Sequence, residues 1–376
     1  MTHSNINPWH YPRVDLAKQY LDSLDIGLSN SIALFAHRRS GKTEFVTHDL
    51  LPEAEKRGAI TYTVDFWAND QNPSECIITG VMNTFHTLPV RKQLKGQPLK
   101  EFKASLTGLS AAIENPNIST INQAFSLMSQ IHRGDAKKVV LFLDEIQHLA
   151  TEPAYSTVAA ALRTFIDKNK DWLTVVFTGS SQDGLNRLFS QRKSAFYNST
   201  AIEDFPLLGS QYVEFTVQAF SDYTNLSIAI SQALRVFNDI NQNPEVFSQI
   251  IKGLLFSKRN DIEDFYNENV NTYSTSADIQ SRWDALTDLD SSVLGLIKGL
   301  IDKDFSCGLY SVKAYSIIKE ESGADTVTKS TVQYSIDKLR KAGWIYSTGR
   351  GQWSFEDEAD LVFIRSQKDG GEGPPE

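Results

Sequence analysis

A short loop near the start of the chain contains residues suited to binding phosphate. The segment from Ala36 to Thr43 follows the apolar run 32–35, ends in Gly-Lys-Thr and precedes a helix-like run that begins at Glu44. A strand, such a loop and a helix are the context of a phosphate-binding loop, in which successive backbone N–H groups and the positive end of the helix dipole face an anion. We expect Lys42 to reach the outer phosphates of a nucleotide and the Thr43 hydroxyl to hold Mg²⁺.

The loop departs from the usual pattern at its first position. Glycine usually stands there, because it enters a tight turn with fewer restrictions, whereas this chain has Ala36. A chance Gly-Lys-Thr in a loop is therefore the alternative interpretation of this segment taken alone. The predicted phosphate-binding residues are Ala36, His37, Arg38, Arg39, Ser40, Gly41, Lys42, Thr43 and Glu44.

A pair of acidic residues further along the chain complements this loop. Residues 139–143 form a continuous apolar run, typical of a buried parallel strand, and Asp144 and Glu145 follow it directly. Asp144 can hold Mg²⁺ directly or through water, and Glu145 can orient and polarise an attacking water. A strand that ends in a solvated acidic turn is the common alternative. The loop and the acidic pair within one α/β pattern together favour binding and hydrolysis of ATP.

A third strand-like run, residues 173–178, ends in hydroxyl side chains. Thr178, with Ser180 as the second choice, is predicted to be a sensor that hydrogen-bonds the γ-phosphate or the attacking water. An ordinary turn at a strand end is the alternative interpretation.

The elements between these motifs predict a doubly wound parallel sheet of the α/β class. Strand-like and helix-like runs alternate up to residue 216, and the ligand of such a sheet binds at the carboxyl ends of its strands. Residues 217–285 carry apolar residues at helical spacing and predict a small helical lid domain. Residues 286–365 predict three helices, a strand, a turn and a strand, which describe a winged helix. The polar tail 366–376 is expected to be disordered.

Composition and charge narrow the possible functions. The chain has 376 residues, a formal net charge of −9 and two cysteines, so any contact with DNA must come from a local basic patch. The cysteines lie far apart and indicate neither a disulfide framework nor a zinc site. The first residues lack the features of a signal peptide, and no apolar run has the length of a membrane span. These features predict a cytoplasmic protein.

The phosphate-binding loop, the acidic pair and the hydroxyl-ended strand together resemble those of the AAA+ and STAND P-loop ATPases. Within these, the motifs are similar to the archaeal-type ATPases and the origin-recognition initiator ATPases. The resemblance implies an arginine finger that reaches a neighbouring subunit, and Arg192 is the first match and Arg187 the second. It also implies that Arg259 of the lid contacts the γ-phosphate. A solvated basic helix end is the alternative interpretation of Arg187 and Arg192.

The predicted winged helix has a candidate surface for double-stranded DNA. Its third helix starts near residue 328, and the apolar face of that helix leaves polar residues at its beginning. Thr331 and Gln333 could reach base edges, while Lys329 and the wing-tip residue Arg350 could meet phosphates. Acidic residues flank the helix and the wing, and winged helices also dock proteins.

Two functions of different classes remain open at this stage. The first is a Mg²⁺-dependent ATPase of the AAA+ type that couples its nucleotide state to DNA binding or to assembly of a homo-oligomer. The second is a STAND-type switch whose nucleotide state controls docking of a protein partner, without DNA. The basic start of the third helix favours the first, and the acidic flanks favour the second.

Overall fold

The computed structural model of the protein describes residues 7–27, 29–36, 40–87, 118–135, 137–240, 242–269, 276–304, 307–349, 351–357, 360–361 and 363–365. The tail predicted to be disordered lies outside these residues. The chain divides into two compact units, one of Pro12–Pro206 and one of Met1–Tyr11 with Leu207–Glu376. Among the described residues, no helix combines the length and the apolar character that crossing a bilayer requires.

The first unit is built on a five-stranded parallel sheet. Its strands are β1 (Ser31–Phe35), β2 (Ile60–Asp65), β3 (Val139–Asp144), β4 (Leu173–Gly179) and β5 (Ile202–Asp204), in the spatial order β2-β3-β4-β1-β5. All neighbouring strands run parallel, so their carboxyl ends share one edge of the sheet. The predicted α/β class with a parallel sheet is confirmed.

Both faces of this sheet are covered. Alternate residues of each strand point to opposite sides, so each strand contributes to the packing on both faces. On β3, Leu141 and Leu143 belong to one buried apolar cluster, whereas Val140 and Phe142 belong to another on the opposite face. A strand that is buried on both faces reads as a continuous apolar run, which is the pattern of residues 139–143.

Seven helices of the described chain flank the sheet. They are α1 (Val14–Asp25), α2 (Lys42–Phe45), α3 (Leu51–Lys56), α4 (Pro73–Thr87), α5 (Ile118–Asp135), α6 (Ser156–Lys168) and α7 (Gln182–Phe189). A π-helical turn, Val46–Leu50, joins α2 to α3 without a break. Pro52 explains this turn, since it has no N–H to donate to the carbonyl group four residues earlier and its ring crowds that group.

The second unit begins with a helical part. It contains α8 (Ser210–Thr224), α9 (Ile230–Asp239), α10 (Pro244–Ser257) and α11 (Ile262–Glu268) around a core of their own. Trp9 and Tyr11 pack against this core, and the Tyr11 hydroxyl donates to Gln211 Oε1 at 3.2 Å. The domain boundary predicted after residue 216 falls inside α8.

The remainder of the second unit is a C-terminal module, a name we use for residues 276–365. Its elements are α12 (Ser276–Asp284), α13 (Asp288–Ile301), α14 (Val312–Ser322), α15 (Lys329–Lys341), β6 (Ile345–Gly349) and β7 (Gln352–Phe355). β6 and β7 pair in antiparallel fashion, and Val332, Ile336 and Leu339 of α15 are buried in the core of the module. The three helices and the strand pair follow one another in the order predicted from the sequence.

A buried carboxylate joins two helices of this module. Asp290 is 3% exposed and accepts hydrogen bonds from Ser335 Oγ at 2.6 Å, from Lys338 Nζ and from Thr287 Oγ1 at 2.7 Å. Burial opposes ionisation, but the hydrogen bonds from Lys338, Ser335 and Thr287 outweigh it and lower the pKa of Asp290. These hydrogen bonds therefore connect the first turn of α13 to α15.

Asp290→Ala should lower the free energy of unfolding by about 2 kcal/mol, because Ser335 stays buried without its acceptor. A carboxylate with a lowered pKa stabilises the folded state above its unfolded pKa of about 4 and loses this effect as the pH falls through its folded value. The difference in the free energy of unfolding between wild type and variant should therefore shrink below about pH 4. Urea unfolding followed by tryptophan fluorescence measures it, with the exposed Asp288→Ala as the matched control. An equal loss in both variants would contradict the role of Asp290.

Candidate functional site

The loop predicted to bind phosphate follows the carboxyl end of β1, where the sequence placed it. Gly41 has φ +81°, a left-handed conformation that favours glycine, and it caps the first turn of α2. Lys42 is 6% exposed, and its Nζ donates to the carbonyl oxygen of Ala36, so its ammonium group lies across the loop. The predicted loop residues His37, Arg38 and Arg39 lie outside the described residues.

Arg13 holds this loop from outside, which the sequence did not indicate. Its Nη2 donates to the carbonyl oxygen of Gly41 at 2.9 Å, and its guanidinium lies 4.9 Å from the ring centre of Phe45 and 4.4 Å from that of Phe205. The two rings fix the guanidinium, which in turn fixes the peptide that precedes Lys42.

A hydroxyl, a carboxylate and a second hydroxyl meet at the carboxyl edge of the sheet. Thr43 Oγ1 donates to Asp144 Oδ2 at 3.2 Å, and Thr178 Oγ1 donates to Asp144 Oδ1. Thr43 follows β1, Asp144 ends β3, and Thr178 lies on β4 between these two strands. The structure therefore brings together Thr43, Asp144 and Thr178, which were predicted from separate motifs. Ser180, the second choice for a sensor, contacts Glu145 instead.

Glu145 has an unusual backbone and a fixed side chain. Its φ of +52° is left-handed, which is uncommon for a residue other than glycine. Its Oε2 accepts hydrogen bonds from Ser180 Oγ at 2.7 Å and from Gln147 Nε2. The turn that follows β3 thus directs this carboxylate sideways along the edge of the sheet toward β4.

The electrostatics of this edge suit a cation. Burial raises the pKa of Asp144, the hydrogen bond from Thr178 opposes this, and the nearby carboxylates of Glu145 and Asp65 raise it further. A divalent cation next to Asp144 would relieve this repulsion, and a hydroxyl with a carboxylate is a usual ligand pair for Mg²⁺. Ser40 Oγ is buried without a hydrogen-bond partner in the described part of the chain, as expected for a loop shaped around a ligand.

The predicted arginines differ in how they are held. Arg187 on α7 forms an ion pair with Asp183 at 3.0 Å, and Arg192 is exposed in the turn after that helix. Arg259 lies in the second unit, where its guanidinium contacts Asp264 at 2.6 Å and Glu268 at 2.5 Å. The predicted γ-phosphate contact of Arg259 stays a prediction. Glu44 is exposed on α2, 3.6 Å from His48.

The predicted DNA contacts lie at the start of α15. Thr331 is used in a capping box with Thr328, and Gln333 accepts a hydrogen bond from the Tyr310 hydroxyl at 2.6 Å and donates to Asp337 at 3.1 Å. The Lys329 ammonium lies 5.9 Å from the Tyr310 ring centre and is exposed. Arg350 lies outside the described residues.

The sheet order and the site together define the class of fold. The chain has an α/β fold that it shares with solved structures of a Walker-type ATPase and of an origin-recognition protein. It is similar to the Walker-type ATPase PABY2304 of Pyrococcus abyssi, with 14% identity, a TM-score of 0.58 and coverage of 94% of this chain and 95% of that one. It is also similar to the ADP form of the Aeropyrum pernix ORC2 protein, with 13% identity, a TM-score of 0.59 and coverage of 95% and 93%. No protein-family model and no curated protein matches the sequence.

Two residues of the site were missed by sequence reasoning. Arg13 lies far from the loop in the sequence. Gln147 lies two positions after Glu145, in a segment whose polar residues follow neither helical nor strand periodicity. The only available signal was the position of Gln147 in the turn after the acidic pair, where a polar side chain faces the strand ends.

Proposed function

We propose that the protein binds and hydrolyses ATP with Mg²⁺, and that its nucleotide state controls binding of DNA or assembly of copies of the chain. The observation that carries the proposal is the contact of Thr43 and Thr178 with Asp144 beside a phosphate-binding loop. Three motifs that are distant in sequence meet there, in the arrangement that hydrolysis of a nucleoside triphosphate needs. The ADP bound to the similar ORC2 protein agrees with this assignment.

Each side chain has a defined role in this proposal. The backbone of the loop and Lys42 bind the phosphates, and Thr43 and Asp144 hold Mg²⁺, which supplies neutralisation of phosphate charge when bound. Glu145 orients water and accepts its proton. The water oxygen forms a bond to the γ-phosphorus while the bond from that phosphorus to the bridging oxygen breaks, which leaves ADP and phosphate.

Other predicted residues complete the proposed site. Thr178 holds Asp144, and Ser180 holds Glu145. Arg192 is proposed to reach the γ-phosphate of a neighbouring copy, which its exposure supports. Arg259 is kept as the proposed γ-phosphate contact from the helical part of the chain.

We assign DNA binding to the C-terminal module as a winged helix. The order of three helices and an antiparallel strand pair supports this, as does the exposed Lys329 at the start of α15. Lys329 would contact phosphate. Thr331 and Gln333 would reach bases only by giving up their present hydrogen bonds.

A nucleotide-dependent switch that docks a protein is the second candidate. Val312 is 81% exposed and Tyr334 is 74% exposed, and these apolar side chains lie on α14 and α15. Exposed apolar side chains, together with the internal hydrogen bonds of Thr331 and Gln333, favour a protein partner over base recognition.

ATPase rate and oligomer mass, measured with and without duplex DNA across salt concentrations, test the proposal. We expect turnover with Mg²⁺ and DNA affinity that falls steeply with salt. Lys329→Gln should reduce the salt slope by about one, whereas Lys319→Gln, an exposed lysine on α14, should leave it unchanged. ATP binding without a DNA effect would favour the switch, and absence of ATP binding would refute both functions.

A further inference from the structure

The side chain of Gln147 lies beside the carboxylate proposed to activate water. Gln147 is 6% exposed and belongs to the 3₁₀ turn Ile146–Ala150, which begins directly after Glu145. Its Nε2 donates to Glu145 Oε2 and lies 3.4 Å from Ser180 Oγ. Ser180 Oγ reaches the same carboxylate oxygen at 2.7 Å. Gln147, Ser180 and Glu145 therefore form a closed triangle of hydrogen bonds.

The triangle engages only one oxygen of the carboxylate. Both donors reach Oε2, and within the described ranges no hydrogen bond is made to Glu145 Oε1. A carboxylate held through one oxygen has a fixed plane and offers the other oxygen to a water molecule. This is the geometry that a general base needs, because proton transfer requires the base within hydrogen-bond reach of the water.

Two glycines leave the space that Gln147 occupies. A Cβ atom on Gly179 would lie 2.6 Å from Gln147 Oε1, and one on Gly184 would lie 2.6 Å from Gln147 Cβ. Contacts that short do not occur in proteins, so a larger residue at either position would force Gln147 or the element that carries the glycine to shift. Gly184 belongs to α7. The atom that its added Cβ would meet is the Cβ of Gln147, which is bonded to the backbone, so rotation of the Gln147 side chain would not relieve this contact.

We infer that Gln147 is a positioning residue that sets the aim of Glu145 and makes that aim depend on the location of α7. This inference rests on the proposed ATPase function. Gln147 has its Nε2 on the carboxylate and its Cβ against α7, the helix that carries Arg187 and precedes Arg192. A displacement of α7 moves Gln147 and therefore the carboxylate. The segment proposed to touch a neighbouring copy is thus joined to the base of its own subunit by one side chain.

Gln147→Met keeps the volume of the side chain and removes its donor. We expect kcat for ATP to fall about tenfold, because a small misplacement of a catalytic group has large effects on rate. KM for ATP, affinity for ADP and the urea midpoint should stay at wild-type values. Gln147→Leu, which is also close in volume and has no donor, should show the same fall and covers the case in which the methionine variant does not fold.

A double variant separates positioning from a general structural effect. If Gln147 acts only through Glu145, adding Gln147→Met to Glu145→Gln should cause no further loss of kcat. Gly184→Ala, which pushes on Gln147, should lower kcat in the same way. Gly209→Ala is the matched control, since a Cβ there would meet nothing within 4 Å.

The outcomes distinguish this inference from the proposed function. If the wild-type protein hydrolyses ATP and the Gln147 variant that folds has the same kcat, the inference is wrong but the ATPase assignment stands. Additive losses in the double variant overturn it in the same way. A wild-type protein without Mg²⁺-dependent turnover overturns both.

Discussion

Glu145→Gln should lower kcat for ATP hydrolysis by about 10²- to 10⁴-fold and leave ATP affinity close to the wild-type value. The amide keeps the shape of the side chain but cannot accept a proton from water, and general-base catalysis contributes a factor of this size. ATP binding should persist, because the proposed phosphate-binding groups are the loop and Lys42 and not Glu145. Steady-state turnover gives kcat and equilibrium nucleotide binding gives the ATP affinity, both measured on the same preparation.

Glu152→Gln is the matched control for this experiment. Glu152 lies seven positions further along, exposed before the 3₁₀ turn Pro153–Tyr155, and its replacement should leave turnover unchanged. Wild-type turnover in Glu145→Gln would mean that a different group activates the water. Loss of ATP binding in that variant would mean that Glu145 supports the site structurally.

Lys42→Met should weaken ATP binding about a hundredfold. The Lys42 ammonium group donates to the carbonyl oxygen of Ala36 within the loop proposed to bind phosphate, and a hydrogen bond between charged groups contributes about 1.5–3 kcal/mol. Methionine keeps much of the buried stem, so the change removes charge with little loss of packing. Titration with a fluorescent ATP analogue in the presence of Mg²⁺ measures the affinity.

The control for Lys42→Met is Lys56→Met at the end of the same helical segment. Lys56 is exposed and faces Glu53 at 3.6 Å, a surface ion pair of small energetic value. Equal affinity of wild type and Lys42→Met for ATP would refute the assignment of the loop, and equal weakening in both variants would indicate a general loss of stability.

Local sequence patterns were sufficient to predict the central elements of the fold. The apolar run at 139–143 required a strand buried on both faces, and β3 is such a strand. Val332, Ile336 and Leu339 share one helical face, and all three are buried in α15. These predictions succeeded because periodicity and strand burial are encoded by neighbouring residues.

Contacts that depend on tertiary structure could not be read in this way. Arg13 reaches Gly41 only after α1 and the loop are placed side by side, and Gln147 acquires its position from two glycines on other elements. The engagement of Arg259 by Asp264 and Glu268 likewise depends on how the chain turns after α10. The same residue types in the same order would be compatible with several other pairings until the backbone is fixed.

The order of the strands has a consequence for when the protein can first hold a nucleotide. Thr43 and Asp144 are separated by 101 residues, and Thr178 is a further 34 residues along, on the strand that lies between their two strands. A growing chain therefore presents the loop long before it has the strand that completes the site. Parallel strands that are distant in sequence pair slowly, and a ligand that binds only the folded state stabilises it by mass action. ATP bound as proposed would therefore stabilise the sheet only after all of its strands have paired.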